Sequence, residues 1–151
     1  MTAAPRVPAA VAGPIPVGGG SEPERNKALA RLWFEEGWNR GNLEVADRIF
    51  SADFMMGGRT VGPDGPRDSV RRRHAAFADL TVEIGVQVAE GPWVATWFTT
   101  RARHIGPFAG VAPTGRTVTS EGMQLWRVHN GIAVEDHNVF DLWRVVHQLR
   151  A

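Results

Sequence analysis

The stretch GMQLWRVHNGIAVEDHNVFD, residues 122–141, decides the fold of this chain. Bulky apolar residues alternate with polar ones on both sides of Asn130-Gly131, a dipeptide that favours a tight turn between two antiparallel strands. Two amides, Gln124 and Asn138, fall near the same level across such a turn. The stretch therefore predicts a β-hairpin that carries a facing pair of amides.

Two further strands precede this hairpin. Residues 80–106, LTVEIGVQVAEGPWVATWFTTRARHIG, repeat with a period of two on both sides of a turn at Glu90-Gly91-Pro92. Residues 116–128 and 132–149 complete the predicted sheet, the latter running into a short C-terminal helix. The period of two therefore predicts a long antiparallel meander.

Helical spacing dominates the part of the chain before the meander. A first helix is predicted to begin with Ser21 as N-cap and to end at Gly41. A shorter helix is predicted within residues 43–54, and a third carries Val70, His74 and Phe77. Helices followed by a meander are typical of an α+β domain, with a curved antiparallel sheet wrapped over the N-terminal helices.

Length and composition predict one domain with an extension at its start. A chain of 151 residues with 43% hydrophobic residues has the size and apolar content of one globular domain. Residues 1–20 are rich in Ala, Pro and Gly and are predicted to be a disordered tail, which leaves residues 21–151 as the domain.

Charge and motif content exclude several classes of function. The formal net charge is +1, so nucleic acid and membrane surfaces are not expected partners. The basic run Arg71-Arg72-Arg73 is interpreted as a solvated helix face. The chain has no Cys, its five His are scattered, and no apolar run reaches about 18 residues. We expect a cytoplasmic protein without a metal site or a membrane span.

Alternation along the strands places several polar side chains on one concave face. Because successive strand residues point to opposite sides, one face combines four polar with three aromatic residues. These are His104, Gln124, Asp136 and Asn138, beside Phe98, Trp126 and Phe140. A few polar groups in an aromatic-lined concavity are typical of a small-molecule site. Alternatively, His104 bonds a loop and Asp136 is a rim carboxylate.

The opposite face of the sheet is apolar. It is predicted to carry Trp97, Met123, Leu125 and Val139, and no helix remains to cover them if the helices fill the concave side. An apolar sheet face favours association with a second copy, so we expect a homodimer.

The chain resembles the SnoaL-like polyketide cyclase family of the NTF2-like superfamily over about residues 25–150. The resemblance is clearest in residues 103–141, RHIGPFAGVAPTGRTVTSEGMQLWRVHNGIAVEDHNVFD. This segment is similar to the family's most characteristic region, with its HxGxFxGxxPTGR motif and the following hairpin. The resemblance implies an α+β barrel around an apolar cavity, a dimer, no metal or organic cofactor, and an aromatic polyketide as substrate.

The chain departs from the family at the positions that carry its chemistry. The carboxylate that acts as acid and base, and its assisting histidine, fall by the motif on Asn138 and Gln124. Amides do not exchange protons near neutral pH. Within DFMMGG, Met55 and Met56 replace a residue that is commonly polar, and Met55 is expected to contact the substrate.

These departures predict a function different from standard ring closure. The chain is expected to hydroxylate a polyketide-derived ring without a cofactor, as the family's anthracycline-type hydroxylases do, with the amides stabilising an anion. One alternative is a cyclase that uses Asp136 or His104 for an intramolecular aldol condensation. The other is a small-molecule-binding protein without catalysis.

Overall fold

The computed structural model describes residues 13–14 and 18–151. The described part of the predicted tail is exposed, whereas residues 1–12 and 15–17 lie outside the described residues, so the tail's disorder stays a prediction. Helices and strands run in the order α1 (Glu22–Leu32), a π-helical segment (Trp33–Asn39), a 3-10 turn (Leu43–Val45), α2 (Ala46–Ile49), β1 (Phe50–Met56), β2 (Arg59–Thr60), α3 (Asp64–Ala76), β3 (Phe77–Glu90), β4 (Trp93–His104), β5 (Thr117–His129), β6 (Ile132–Phe140) and α4 (Leu142–Arg150).

The first helix begins as the sequence predicts and then widens. The hydroxyl of Ser21 caps α1 by accepting a hydrogen bond from the backbone N–H of Glu24. The π-helical segment follows directly, and Gly37 lies so close to the ring of Trp33 that a Cβ there would stand 2.4 Å from it. This segment presents aromatic side chains to the interior, and π-helical turns often occur at functional sites.

Two predicted helix boundaries are wrong. The predicted second helix ends at Ile49, and Phe50–Met56 form β1, which pairs in parallel with β6. The third helix ends at Ala76, and Phe77 is the first residue of β3. In both places tertiary pairing with a distant strand overrides the local helical spacing.

The sheet has the order β2-β1-β6-β5-β4-β3. The predicted meander from β3 to β6 is confirmed, with the turn at Asn130-Gly131 in positive φ as a two-residue hairpin requires. Because β1 runs parallel to β6, the sheet is mixed rather than wholly antiparallel. The predicted α+β class is confirmed.

The inner face of the sheet holds the core. Leu29, Trp33 and Val94 are buried together there, which shows that α1 and the π-helical segment pack on this face. Near Val128 a shift of register makes Ala133 buried and leaves Val134, which alternation places inward, only half-buried. In the described part of the chain, no helix has both the length and the apolar character needed to cross a membrane.

Candidate active site

A cavity of about 580 Å³ opens between α3, the π-helical segment and the inner face of the sheet. Its aromatic wall consists of Phe34, Trp38, Phe77, Phe98, Phe108 and Phe140. Its polar lining consists of Ser69, Arg72, Arg73, Thr100, Gln124 and Asn138. The volume lies within the range typical of small-molecule sites, and the mixture of aromatic walls with few polar groups suits an aromatic ligand.

Gln124 and Asn138 face each other directly in the hairpin. They are cross-strand partners between β5 and β6, as the sequence predicts. Both also line a second cavity of about 50 Å³, which therefore adjoins the main cavity at these amides. The Oε1 atom of Gln124 is buried without a partner among the described residues, whereas its Nε2 is not sealed. Gln124 therefore offers an N–H donor to the interior space.

Asp136 lines the small cavity, two cross-strand pairs beyond the amides and opposite Trp126. Its side chain is only 3% exposed, and its Oδ2 accepts a hydrogen bond of 3.1 Å from Nδ2 of Asn138. Its Oδ1 is buried without a partner among the described residues. Burial raises the pKa of Asp136 from 3.8 to about 6, although the amides of Asn138 and Gln124 and the charge of His137 oppose this shift.

The aromatic residues predicted for the site divide between the two cavities. Phe98 and Phe140 line the main cavity, on either side of Gly122 in one cross-strand row. A Cβ on Gly122 would lie 2.5 Å from the ring of Phe98, so the glycine lets this ring lie flat against β5. Trp126 lines only the small cavity, and its indole N–H has no partner there within the described residues.

Met55 does not line either cavity. Met56 lines the small cavity instead, opposite Asp136 in the parallel pairing of β1 with β6. The prediction placed Met55 in a helix-to-loop segment, where no alternation applied. Because this segment is a strand, successive residues point to opposite sides, and Met56 takes the inward position.

His104 lies apart from both cavities. It is 0% exposed at the end of β4, and its Nδ1 accepts hydrogen bonds from the backbone N–H (3.2 Å) and the hydroxyl (3.1 Å) of Thr114. The backbone of His104 also pairs with Gly115 and Arg116. His104 thus has the alternative role, a hydrogen bond to a loop. It holds the PTGR segment, residues 113–116, against the end of β4.

Arg72 and Arg73 line the cavity, but Arg72 is exposed and only Arg73 is partly buried, so the interpretation of the basic run as a solvated face is wrong for Arg73. The guanidinium of Arg73 lies 4.9 Å from the ring centre of Phe108 and 4.5 Å from that of Phe140. The sequence contains a pattern that predicts which side of α3 faces the cavity. Ser69, Arg72, Arg73 and Ala76, which all line the cavity, follow the spacing of one helix face.

Comparison with known proteins places this geometry in a family. The family model described as SnoaL-like polyketide cyclase matches residues 28–149. The nogalonic acid methyl ester cyclase of Streptomyces nogalater is 27% identical over 106 residues, which cover 66% of this chain and 78% of that protein.

Solved structures agree with this assignment. AclR from Streptomyces galilaeus, a hydroxylase candidate, is 28% identical with a TM-score of 0.72 and covers 83% of this chain and 95% of its own. TsrD from Streptomyces laurentii is 21% identical with a TM-score of 0.76, covers 83% and 94%, and shares the fold. The α+β architecture with a six-stranded mixed sheet is thus shared with these solved structures. This chain belongs to the SnoaL-like polyketide cyclase family.

Proposed function

We propose that this chain is an enzyme of aromatic polyketide tailoring that closes a ring by intramolecular aldol condensation. Asp136 moves the proton, and Gln124 and Asn138 bind the oxygen that becomes an enolate. The observation that carries the proposal is the buried Asp136 carboxyl, which accepts a hydrogen bond from Asn138 and lines the small cavity next to the main one. The chain therefore retains a carboxyl group near the site, although the family's position for it holds an amide.

The proposed reaction needs no partner beyond substrate and protein. The Asp136 carboxylate takes a proton from a carbon next to a carbonyl group, and the carbonyl oxygen becomes an enolate. The enolate carbon forms a bond to a second carbonyl carbon of the same molecule, and the resulting alkoxide takes the proton back from Asp136. The small cavity has about 50 Å³ beside this carboxyl, enough for one water or for the reacting edge of the substrate.

The pKa of Asp136 fits the role of a base near neutral pH. A general base works best when its pKa lies near the working pH, because it is then both ionised and basic enough. The pKa of about 6 leaves Asp136 mostly ionised at pH 7 and makes it a stronger base than an ordinary aspartate. The amide of Gln124, which hydrogen-bonds Asp136, has a second N–H for a developing oxyanion, a contribution worth about 3 kcal/mol in a dry site.

Oxygen-free kinetics with nogalonic acid methyl ester, the compound in the relative's name, and with the corresponding free acid test this proposal. The wild type should close the ring without dioxygen, and Asp136→Asn should reduce kcat by about a hundredfold or more, the usual contribution of a general base. Glu135→Gln is the matched control, because this carboxylate pairs with Arg127 and does not line the cavities. Full activity of Asp136→Asn would refute the role of Asp136.

Hydroxylation is the second candidate, and the amide pair favours it. Gln124 and Asn138 meet the main cavity where the family's carboxylate is expected, and AclR, the hydroxylase candidate, is 28% identical. In this reaction one dioxygen would oxidise a hydroquinone to a hydroxyquinone and water, with the amides binding the substrate anion. Product formation that stops under nitrogen would favour hydroxylation over ring closure. Tight binding of an aromatic ligand without any turnover would favour a binding protein.

We further infer that the enzyme is a homodimer. Val86, Trp97, Met123 and Val139 form one cross-strand row over β3, β4, β5 and β6, and all four side chains are exposed, Val139 to 71%. A continuous apolar row on a sheet face is stabilised by burial against a second copy.

A further inference from the structure

Arg73 is a cation inside the cavity without an acidic partner among the described residues. Burial, followed by the charge of Arg72, lowers the pKa of Arg73, and no carboxylate opposes this shift. Its guanidinium contacts aromatic rings, Phe108 and Phe140, rather than an anion. A partly buried guanidinium without a counterion costs stability, and a negative charge that arrives with a ligand would offset this cost.

The surroundings of Arg73 reinforce this point. Among the described residues that line the main cavity, two are arginines and none is Asp or Glu. The neighbouring Arg71 differs, because it is exposed and pairs with Asp68 on its own helix at 3.1 Å. The cavity therefore has a positive end that no acidic group of its lining neutralises.

The guanidinium is also accessible and oriented. Arg73 is only partly buried and lines the main cavity, so a ligand in the cavity can reach its N–H groups. The rings of Phe108 and Phe140 lie against it and restrict its motion. Phe140 is two residues from Asn138 on the same face of β6, about 7 Å along the strand, and the guanidinium lies against the ring of Phe140.

We propose that Arg73 binds a carboxylate of the substrate, so that this enzyme selects free acids over their esters. A guanidinium forms two parallel hydrogen bonds to a carboxylate. An ester is neutral and cannot form this ion pair. The proposal rests on the polyketide-tailoring function and narrows its substrate to an aromatic carboxylic acid. It also separates this chain from the relative named for a methyl ester.

Binding of two matched probes tests the proposal without any turnover. Anthraquinone-2-carboxylate and its methyl ester are titrated against the protein, with quenching of tryptophan fluorescence as the signal, since Trp38 lines the cavity. The wild type should bind the acid about 10- to 100-fold more tightly than the ester, the range for a charge-assisted contact. Because the contact is ionic, high salt should reduce this ratio in the wild type.

Substitution assigns the preference to Arg73. Arg73→Met, which keeps an apolar stem between the two rings, should bring the acid-to-ester ratio close to one. Arg71→Met is the control, because Arg71 lies two residues earlier on the same helix and pairs with Asp68 outside the cavity. This variant should keep the wild-type ratio. Arg73→Gln serves as a second variant if the methionine variant does not fold, and the salt dependence needs no variant at all.

Each outcome decides between the two proposals. Equal affinity of the wild type for acid and ester, or a preference that survives in Arg73→Met, would overturn the role of Arg73 alone. Failure of the wild type to bind either probe would overturn both this role and the aromatic-ligand cavity. An acid preference that depends on Arg73, without ring closure in the oxygen-free assay, would support carboxylate binding by Arg73 and refute the proposed reaction.

Discussion

Replacing Asp136 with asparagine should change the pH dependence of folding stability in a defined direction. The two side chains have nearly the same shape, and an asparagine carbonyl at this position can still accept the hydrogen bond from Asn138. The substitution therefore removes chiefly the ionisation of a side chain that is only 3% exposed. Stability can be measured without knowledge of the substrate, so this experiment tests the electrostatics of the site on its own.

The magnitude follows from the pKa of Asp136. The carboxyl titrates with an ordinary pKa of 3.8 in the unfolded chain and with a pKa of about 6 in the folded protein. Between these values the folded state binds more protons than the unfolded state, so the free energy of unfolding falls as pH rises through this window. A difference of about 2 pKa units corresponds to about 3 kcal/mol of unfolding free energy, which the wild type loses as the pH rises to between 6 and 7. The variant has no carboxyl at this position and does not show this loss.

Urea denaturation of both proteins from pH 4 to pH 8 measures this effect. The stability of Asp136→Asn relative to the wild type should rise by up to about 3 kcal/mol between pH 4 and pH 7 and then stay level. Taking the difference between the two proteins removes the titration of every other group that they share. A difference that is constant with pH, or that moves in the opposite direction, would refute the account of Asp136 as a buried carboxyl with a raised pKa.

Three further predictions concern the amides, the cavity wall and the outer face. Asn138→Ala should reduce turnover by about a hundred- to a thousandfold if the amide binds an oxyanion, and Asn138→Asp should reduce it further, because a carboxylate repels the developing anion. Full activity of the alanine variant in a steady-state assay would show that the amide is structural. Gly122→Ala should destabilise the fold by about 1–3 kcal/mol, because the new Cβ meets the ring of Phe98, and an unchanged urea midpoint would contradict this. Light scattering at tens of micromolar should give a dimer for the wild type and a monomer for Trp97→Glu, whereas a monomeric wild type would disprove the dimer.

The sequence predicts the hairpin well because its signals are local. The Asn130-Gly131 turn and the alternation on both sides fix the register, and the pairing of Gln124 with Asn138 follows directly. The departures arise where the structure depends on distant residues. Residues 50–54 belong to the predicted second helix but form part of β1, which pairs with β6 about 80 residues further along the chain.

Strand alternation assigns a face but not a position along it. His104 shares the inner face with Thr96, the β4 partner of Gln124, yet it lies eight residues further along β4. At about 3.3 Å per residue this separates them by about 26 Å, so the correct face does not bring His104 to the amides. The side of α3 that carries Arg73 likewise depends on how this helix packs, which its charge run alone does not reveal.

Hydrogen exchange at carbon tests the central claim most directly, namely that Asp136 takes a proton from the substrate. A substrate-like β-keto compound that lacks the second carbonyl cannot close a ring, but it can be followed in D2O by proton NMR under nitrogen. The wild type should accelerate exchange of the acidic C–H, with a rate that rises with pH through about 6 and then levels off, as the pKa of Asp136 requires. Asp136→Asn should lose this acceleration. Exchange that the wild type does not accelerate, or that proceeds equally well in Asp136→Asn, would contradict the proposed role of Asp136.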